Sequence, residues 1–197
     1  GLFCLIDEIQ RIPELLNEIQ RLIDQNGKKI VFILTGSSAR KLKKLDVNLL
    51  AGRAIKFDFY PFSSAEIEIN GAEKLRQILK WGTLPKAFLS SNPKIKAAYL
   101  RTYASTYLQE EIQRESEIRN LGGFGRFLEL AAFENGNFIN FAKIARAANL
   151  SSPTVKNYFQ ILVDTLIVYE IPAWSLKIKE QIQKSSRYYF FDNGVLN

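Results

Sequence analysis

Leu2-Phe3-Cys4-Leu5-Ile6-Asp7-Glu8 is the stretch on which the reading of this chain turns: an unbroken apolar run followed at once by two carboxylates. Such a run, with no polar alternation, reads as a central strand buried on both faces of a parallel sheet. Working outward, Pro13 suits a first helical turn, and Leu15, Leu16, Ile19, Leu22 and Ile23 fall on one face at helical spacing. Asn26-Gly27 stops that helix, and Ile30-Val31-Phe32-Ile33-Leu34 is a second apolar strand ending in Thr35-Gly36-Ser37-Ser38. Strand, helix and strand predict a parallel βαβ unit with a right-handed crossover.

Open parallel sheets bind ligands beyond the carboxyl ends of their strands, which makes Asp7, Glu8, Thr35 and Ser37 the candidate site. Two acids closing an apolar strand form a Walker B arrangement, in which Asp7 helps to hold a nucleotide's magnesium and Glu8 polarises the attacking water. Thr35 or Ser37, ending the neighbouring strand, would orient that water or sense the γ-phosphate. The competing reading is structural: the acids cap a strand and face solvent, and Ser37 or Ser38 is a helix N-cap.

Composition narrows the chemistry. The 197 residues leave room for one ordinary domain or two small ones, and 47% hydrophobic with 24% charged residues predicts a packed core. With no histidine and one cysteine, Cys4, neither a Ser-His-Asp or Cys-His nucleophile nor a Cys/His zinc site can be built, so carboxylate and phosphate chemistry remains. A lone cysteine forms no intrachain disulfide, which predicts a reducing, cytoplasmic compartment. No apolar stretch approaches the roughly 20 residues of a membrane helix, and no membrane partner is expected. The absence of methionine and the opening inside an apolar run predict a fragment.

LFCLIDEIQRIPELLNEIQRLID, VFILTGSSARKL and LLAGRAIKFDFYPFS together resemble prokaryotic AAA-type ATPases that carry a winged helix and a C-terminal restriction-endonuclease-like domain of uncharacterised function. The resemblance implies that the first stretch is Walker B, that the second is the sensor-1 strand, and that Leu50-Ala51-Gly52-Arg53 precedes the last core strand. It makes Arg53 the arginine that stabilises transition-state charge on a γ-phosphate, its own or a neighbouring subunit's. It implies ATP and Mg2+ as ligands of the parent protein and self-association as a partner relation. The chain departs from the family in one decisive respect: no GxxxxGK[ST] phosphate-binding loop occurs in it. Hydrolysis is therefore expected of the parent and not of this piece, whose sheet would lack strands and expose an apolar edge.

Beyond the core the pattern is helical. Ser63-Ser64-Ala65-Glu66 reads as a capping box opening a helix, Trp81-Gly82-Thr83-Leu84-Pro85 as a break, and Pro93 to Arg119 as an amphipathic helix with Tyr99, Tyr103, Tyr107, Leu108 and Ile112 near one stripe. Helices follow at Phe124–Glu134, Asn140–Ala148 and from Ser151-Ser152-Pro153, which is helix-turn-helix spacing, and Ile167–Ile171 reads as a wing strand. In the third helix Val155, Tyr158, Phe159, Leu162 and Leu166 make the apolar face. That leaves Thr154, Lys156, Asn157 and Gln160 as the residues a recognition helix would turn to DNA. Between Phe124 and Pro172 bases and acids balance, and the chain's net charge of +7 resides elsewhere, so packing between domains suits this module better than sequence readout. Arg187 to Gly194 is an aromatic strand running into a turn, with Asp192 a turn residue.

The expected fold class is a partial α/β P-loop NTPase core with a parallel sheet, followed by a helical region and a winged helix-turn-helix. The expected boundaries are 1–62 for the core, 63–121 for a helical, lid-like region, 122–172 for the winged helix and 173–197 for the opening of the C-terminal domain. The alternative function is a non-catalytic DNA- or protein-binding module on an ATPase-derived scaffold.

Overall fold

The computed structural model describes residues 1–36, 54–55, 57–107, 118, 120–174 and 185–197, and the chain divides into two compact units, Gly1–Asp58 and Phe59–Asn197. In the first unit β1 (Leu2–Ile6) and β2 (Ile30–Leu34) pair in parallel, from Leu2 opposite Ile30 to Ile6 opposite Leu34, with α1 (Leu15–Asn26) between them in sequence. Side chains alternate across a strand, so one face of this ribbon presents Ile6, Phe32 and Leu34. These pack with Ile9, Leu15, Leu16, Ile19 and Ile23, the apolar stripe of α1 and the turn before it. Gly27, at φ 55, ends α1 as its sequence requires.

The other face departs from expectation. Phe3 and Leu5 remain 70% and 67% exposed and Val31 and Ile33 are also open, so the ribbon is buried on one face and not on both. The core strand expected after Arg53 is also corrected. Residues 57–60 form no strand, and Phe57 and Phe59 are 78% and 97% exposed. A strand is defined by its ladder, and among the described residues this segment has no strand to pair with.

The second unit opens with the Ser63–Glu66 box, in which the Ser63 backbone N–H and hydroxyl both donate to Glu66 Oε2, at 2.9 and 2.8 Å. The box closes a turn; the first helix of this unit begins later. That helix is α2 (Gly71–Trp81), followed by α3 (Pro85–Leu89) and α4 (Pro93–Thr102), which passes into a π-helical turn at Tyr103–Tyr107. The amphipathic helix expected to Arg119 thus changes character at Thr102, and Leu108 and Ile112 lie outside the described residues. Leu84, Ala87 and Leu100 form a small core with Trp81, Tyr99 and Tyr103.

Three capped helices follow: α5 (Leu121–Phe133), α6 (Phe141–Ala148) and α7 (Ser152–Asp164). Asn120, Asn140 and Ser151 each accept a backbone N–H in the first turn, satisfying donors that a bare helix start leaves open. β3 (Val168–Ile171) then pairs antiparallel with β4 (Arg187–Phe190), and Phe138 forms an isolated bridge to Arg187. Phe127, Val155, Phe159, Leu162 and Val168 are fully buried, and Tyr188 of β4 stacks on Phe159 at 4.6 Å between ring centroids. The expected boundary between 172 and 173 falls between the two strands of this hairpin. β4 supplies both the ladder partner of β3 and an aromatic side chain of the same core, and α8 (Asn193–Leu196) packs against α2. Among the described residues no helix is long and apolar enough to cross a membrane.

Candidate functional site

At the carboxyl ends of β1 and β2, Thr35 gathers the turn that contains the acid pair. Its N–H donates to the Ile6 carbonyl at 3.0 Å, its carbonyl accepts from Ile9 N–H at 3.0 Å, and its hydroxyl accepts from Glu8 N–H at 3.3 Å while donating to Asp7 Oδ1. Glu8 sits in the left-handed region at φ 55, a conformation that costs a non-glycine residue about 1 kcal/mol. That twist ends the strand abruptly and lets Ile9, two residues past Asp7, turn under the sheet, where it is 2% exposed. Asp7 stays exposed and Glu8 is half-buried.

The two carboxylates are engaged differently. Glu8 Oε2 accepts from Gln10 Nε2 at 3.0 Å and lies 3.6 Å from Arg11 Nε, both in its own following turn. Arg11 is 70% exposed, so that ion pair contributes little. Asp7 and Thr35 together present hard oxygen donors at one exposed point. Among the described residues no cluster of three or more Asp, Glu, Cys or His exists that would cage a metal. One carboxylate and one hydroxyl fit Mg2+, which keeps most of its waters or takes phosphate oxygens in place of a protein cage. Ser37 and Arg53 lie outside the described residues.

On α7 the expected division of faces holds for Val155, Tyr158, Phe159 and Leu162, all buried. Leu166 lies beyond the helix in a turn, at φ 61. Of the four residues expected to face outward, Thr154 hydrogen-bonds Ser151 at 2.7 Å and Gln160 donates to Asp164 at 3.1 Å. Lys156 and Asn157 are exposed, with the Lys156 ammonium 5.5 Å from the Phe141 ring centroid.

A third acid was misjudged by local sequence reasoning. Asp192 is 4% exposed, and its carboxylate accepts from Thr83 N–H at 2.6 Å, Gly194 N–H at 2.8 Å and Val195 N–H at 3.1 Å. A Cβ on Gly82, at φ 71, would fall 2.0 Å from that carboxylate, and one on Gly194 would fall 2.1 Å from the Trp81 carbonyl oxygen. Asn197 donates to the Leu79 and Lys80 carbonyls at the end of α2. The break at Trp81-Gly82-Thr83 and the final residues are thus two halves of one lock. Burial, together with the nearby Asp192 charge, pushes the Tyr99 hydroxyl above the usual tyrosine range.

A family model described as a domain of unknown function (DUF8612) matches residues 72–197, and the AAA domain model matches residues 1–68. Uncharacterised proteins of Mycobacterium bovis and Mycobacterium tuberculosis are each 26% identical to this chain over 194 residues, covering 98% of it and 43% of the relative. One from Methanocaldococcus jannaschii is 25% identical over 194 residues, covering 88% of this chain and 43% of the relative. The chain thus spans less than half the length of these curated relatives. No solved structure matches it.

Proposed function

The chain belongs to the DUF8612 family, with an AAA-type ATPase-like segment ahead of that match, and from this premise we propose that it is part of an ATPase whose parent binds and hydrolyses ATP with magnesium. In the parent, that cycle drives a conformational change between the core and the helical half. Asp7 is the magnesium-side acid, Glu8 the water-activating acid, Thr35 or Ser37 the sensor, and Arg53 the charge stabiliser. The observation that carries this reading is the Asp7–Thr35 hydrogen bond, which ties the acid of one parallel strand to the polar end of its neighbour at an exposed point.

Magnesium supplies charge neutralisation on the phosphates. This chain's own residues do the rest: Thr35 fixes the Asp7 carboxylate, and Glu8, released from Gln10 and Arg11, accepts a proton from water. The chain has no phosphate-binding loop of its own, so turnover is assigned to a parent that supplies one.

For the second half, a winged helix is supported by the order of three helices and an antiparallel hairpin, with Phe138 bridging to Arg187 as a third, single-residue strand. No nuclease role is assigned to residues 173–197. The non-catalytic alternative has its own support in Glu8, whose carboxylate is held by its own turn.

Magnesium-dependent ATP hydrolysis by this chain, beside a longer natural protein and its Asp7→Asn and Glu8→Gln variants, separates these readings. Turnover by the longer protein alone, reduced at least 100-fold by Glu8→Gln, is expected (~3 kcal/mol). A longer protein that neither binds nor hydrolyses ATP would leave the binding module as the better account.

A further inference from the structure

Two concavities of similar size open on the second unit, and they differ in charge. One of about 470 Å³ is lined by Glu66 and Glu68 against Lys74. The other, about 570 Å³, lies where the start of α6, the first half of α7 and the approach to β4 meet. Its polar lining is Asn140, Ser152, Lys156 and Ser185, its aromatic walls are Phe138 and Phe141, and no carboxylate is among its described lining residues.

Two cations are laid against those walls. The Lys156 ammonium lies 5.5 Å from the Phe141 centroid, and the Arg187 guanidinium, two residues beyond Ser185, lies 4.2 Å from the centroid of Phe138, itself 62% exposed. Aromatic faces orient these cations without neutralising them. Among the described residues neither forms an ion pair. Of the acids on the neighbouring elements, Glu134 pairs with Lys143 at 2.9 Å, Asp164 accepts from Gln160 and Glu170 from the Tyr188 hydroxyl at 3.0 Å, and none of them lines this concavity. The charge balance between Phe124 and Pro172 stops short of Arg187, which the hairpin returns to this module.

We propose that this concavity is a docking surface for the sugar-phosphate backbone of duplex DNA, with Lys156 and Arg187 as the phosphate-binding cations and Asn140, Ser152 and Ser185 as neutral donors. A surface of aromatically positioned cations and uncharged donors, with no carboxylate among its described lining residues, complements a polyanion. Asn157, exposed one position beyond Lys156 on α7, extends the surface along the helix. Thr154 and Gln160, engaged with Ser151 and Asp164, are not needed. The inference is independent of nucleotide hydrolysis.

The test is fluorescence anisotropy of the full chain with a short labelled DNA duplex and with one of its single strands, over a series of salt concentrations. Duplex binding that weakens steeply with salt is expected. Lys156→Gln with Arg187→Gln should lower duplex affinity about tenfold or more and flatten the log–log salt slope by about 2, roughly one unit for each phosphate left without its cation. Lys94→Gln, an exposed cation on α4, should change affinity less than about twofold. Circular dichroism of each variant reports that it is folded. Absence of salt-dependent duplex binding, an equal weakening with Lys94→Gln, or binding of the single strand alone would each overturn the assignment.

Discussion

Asp7 and Asp192 both follow a β-strand, and they have opposite fates. Asp7, after β1, is exposed and takes one hydrogen bond from the Thr35 hydroxyl. Asp192, after β4, is 4% exposed and accepts from three backbone N–H groups, one of them contributed from 109 residues away. A buried carboxylate that accepts three fixed backbone donors is committed to the fold, its orientation set by both halves of the lock. One held at an open strand end by a single hydroxyl keeps an oxygen for a cation. The same side chain is thus a structural lock in one unit and an available donor in the other, and its partners decide which.

The sharpest way to break that comparison is to delete each acid in turn. Asp192→Ala leaves Thr83, Gly194 and Val195 N–H groups without their acceptor, and should cost the second unit about 3 kcal/mol in urea unfolding. Asp7→Ala should move the unfolding of the first unit by about 0.5 kcal/mol or less. Gly82→Ala should cost roughly 2 kcal/mol, since φ 71 suits glycine and the new Cβ would overlap the Asp192 carboxylate. The double variant Gly82→Ala with Asp192→Ala should cost measurably less than the sum, because removing the carboxylate removes the overlap. Strict additivity would mean that the two positions do not form one lock.

What the sequence disclosed, and what it withheld, follows the same division between local and distant partners. α1 with its Gly27 stop was legible because 3.6-residue periodicity and a positive-φ cap are written within a dozen positions. So were the starts of α6 and α7, where Asn140 and Ser151 cap their own first turns. Asp192 before Asn-Gly reads as a local turn, and its bonds to Gly194 and Val195 are indeed local. Its bond to Thr83 depends on a fold that brings the end of α2 to the end of β4, which no window of sequence contains. The strand expected after Arg53 failed in the opposite direction. It was implied by the resemblance alone, yet a ladder needs a neighbour, and the described residues offer none to residues 57–60. At the candidate site, Asp7, Glu8 and Thr35 were legible as a set because all three close apolar runs. The left-handed turn at Glu8 and its pairing with Gln10 and Arg11 were not.

Tyr188 sharpens the contrast from the side of the second unit. Burial, then the charge of Glu170, then the hydrogen bond to Glu170, hold its hydroxyl well above the ordinary tyrosine range. A raised folded-state pKa means that the neutral phenol is the form the fold prefers. Its stabilisation is fully present below the unfolded value of about 10 and is lost as pH rises through the higher folded value. Thermal melting of the second unit should therefore fall above about pH 10. Tyr188→Phe should cost about 1 kcal/mol at neutral pH through the missing hydrogen bond and make the alkaline fall shallower. Tyr158 and Tyr99, also raised by burial, leave a residual slope. An unchanged alkaline profile in Tyr188→Phe would show that this phenol is not the group that titrates.

The smallest expected effect is the one that tests whether the strand-end junction is a site at all. Thr35→Val keeps a β-branched residue suited to a strand end, and keeps the backbone bonds from Thr35 to Ile6 and Ile9, while removing the hydroxyl that bridges Asp7 and Glu8 N–H. Both of those groups lie at an exposed point, so water replaces the missing partner and the stability of this chain should change by about 0.5 kcal/mol or less. If the hydroxyl instead contributes more than about 1 kcal/mol to unfolding of the chain itself, the junction is a structural clasp of the same kind as the Asp192 lock. Asp7 would then be committed to holding two strands together, with no oxygen spared for a cation. A near-zero cost to folding, combined with weakened magnesium-nucleotide binding when the same substitution is placed in the longer protein, is the pair of results that only a ligand-facing junction produces.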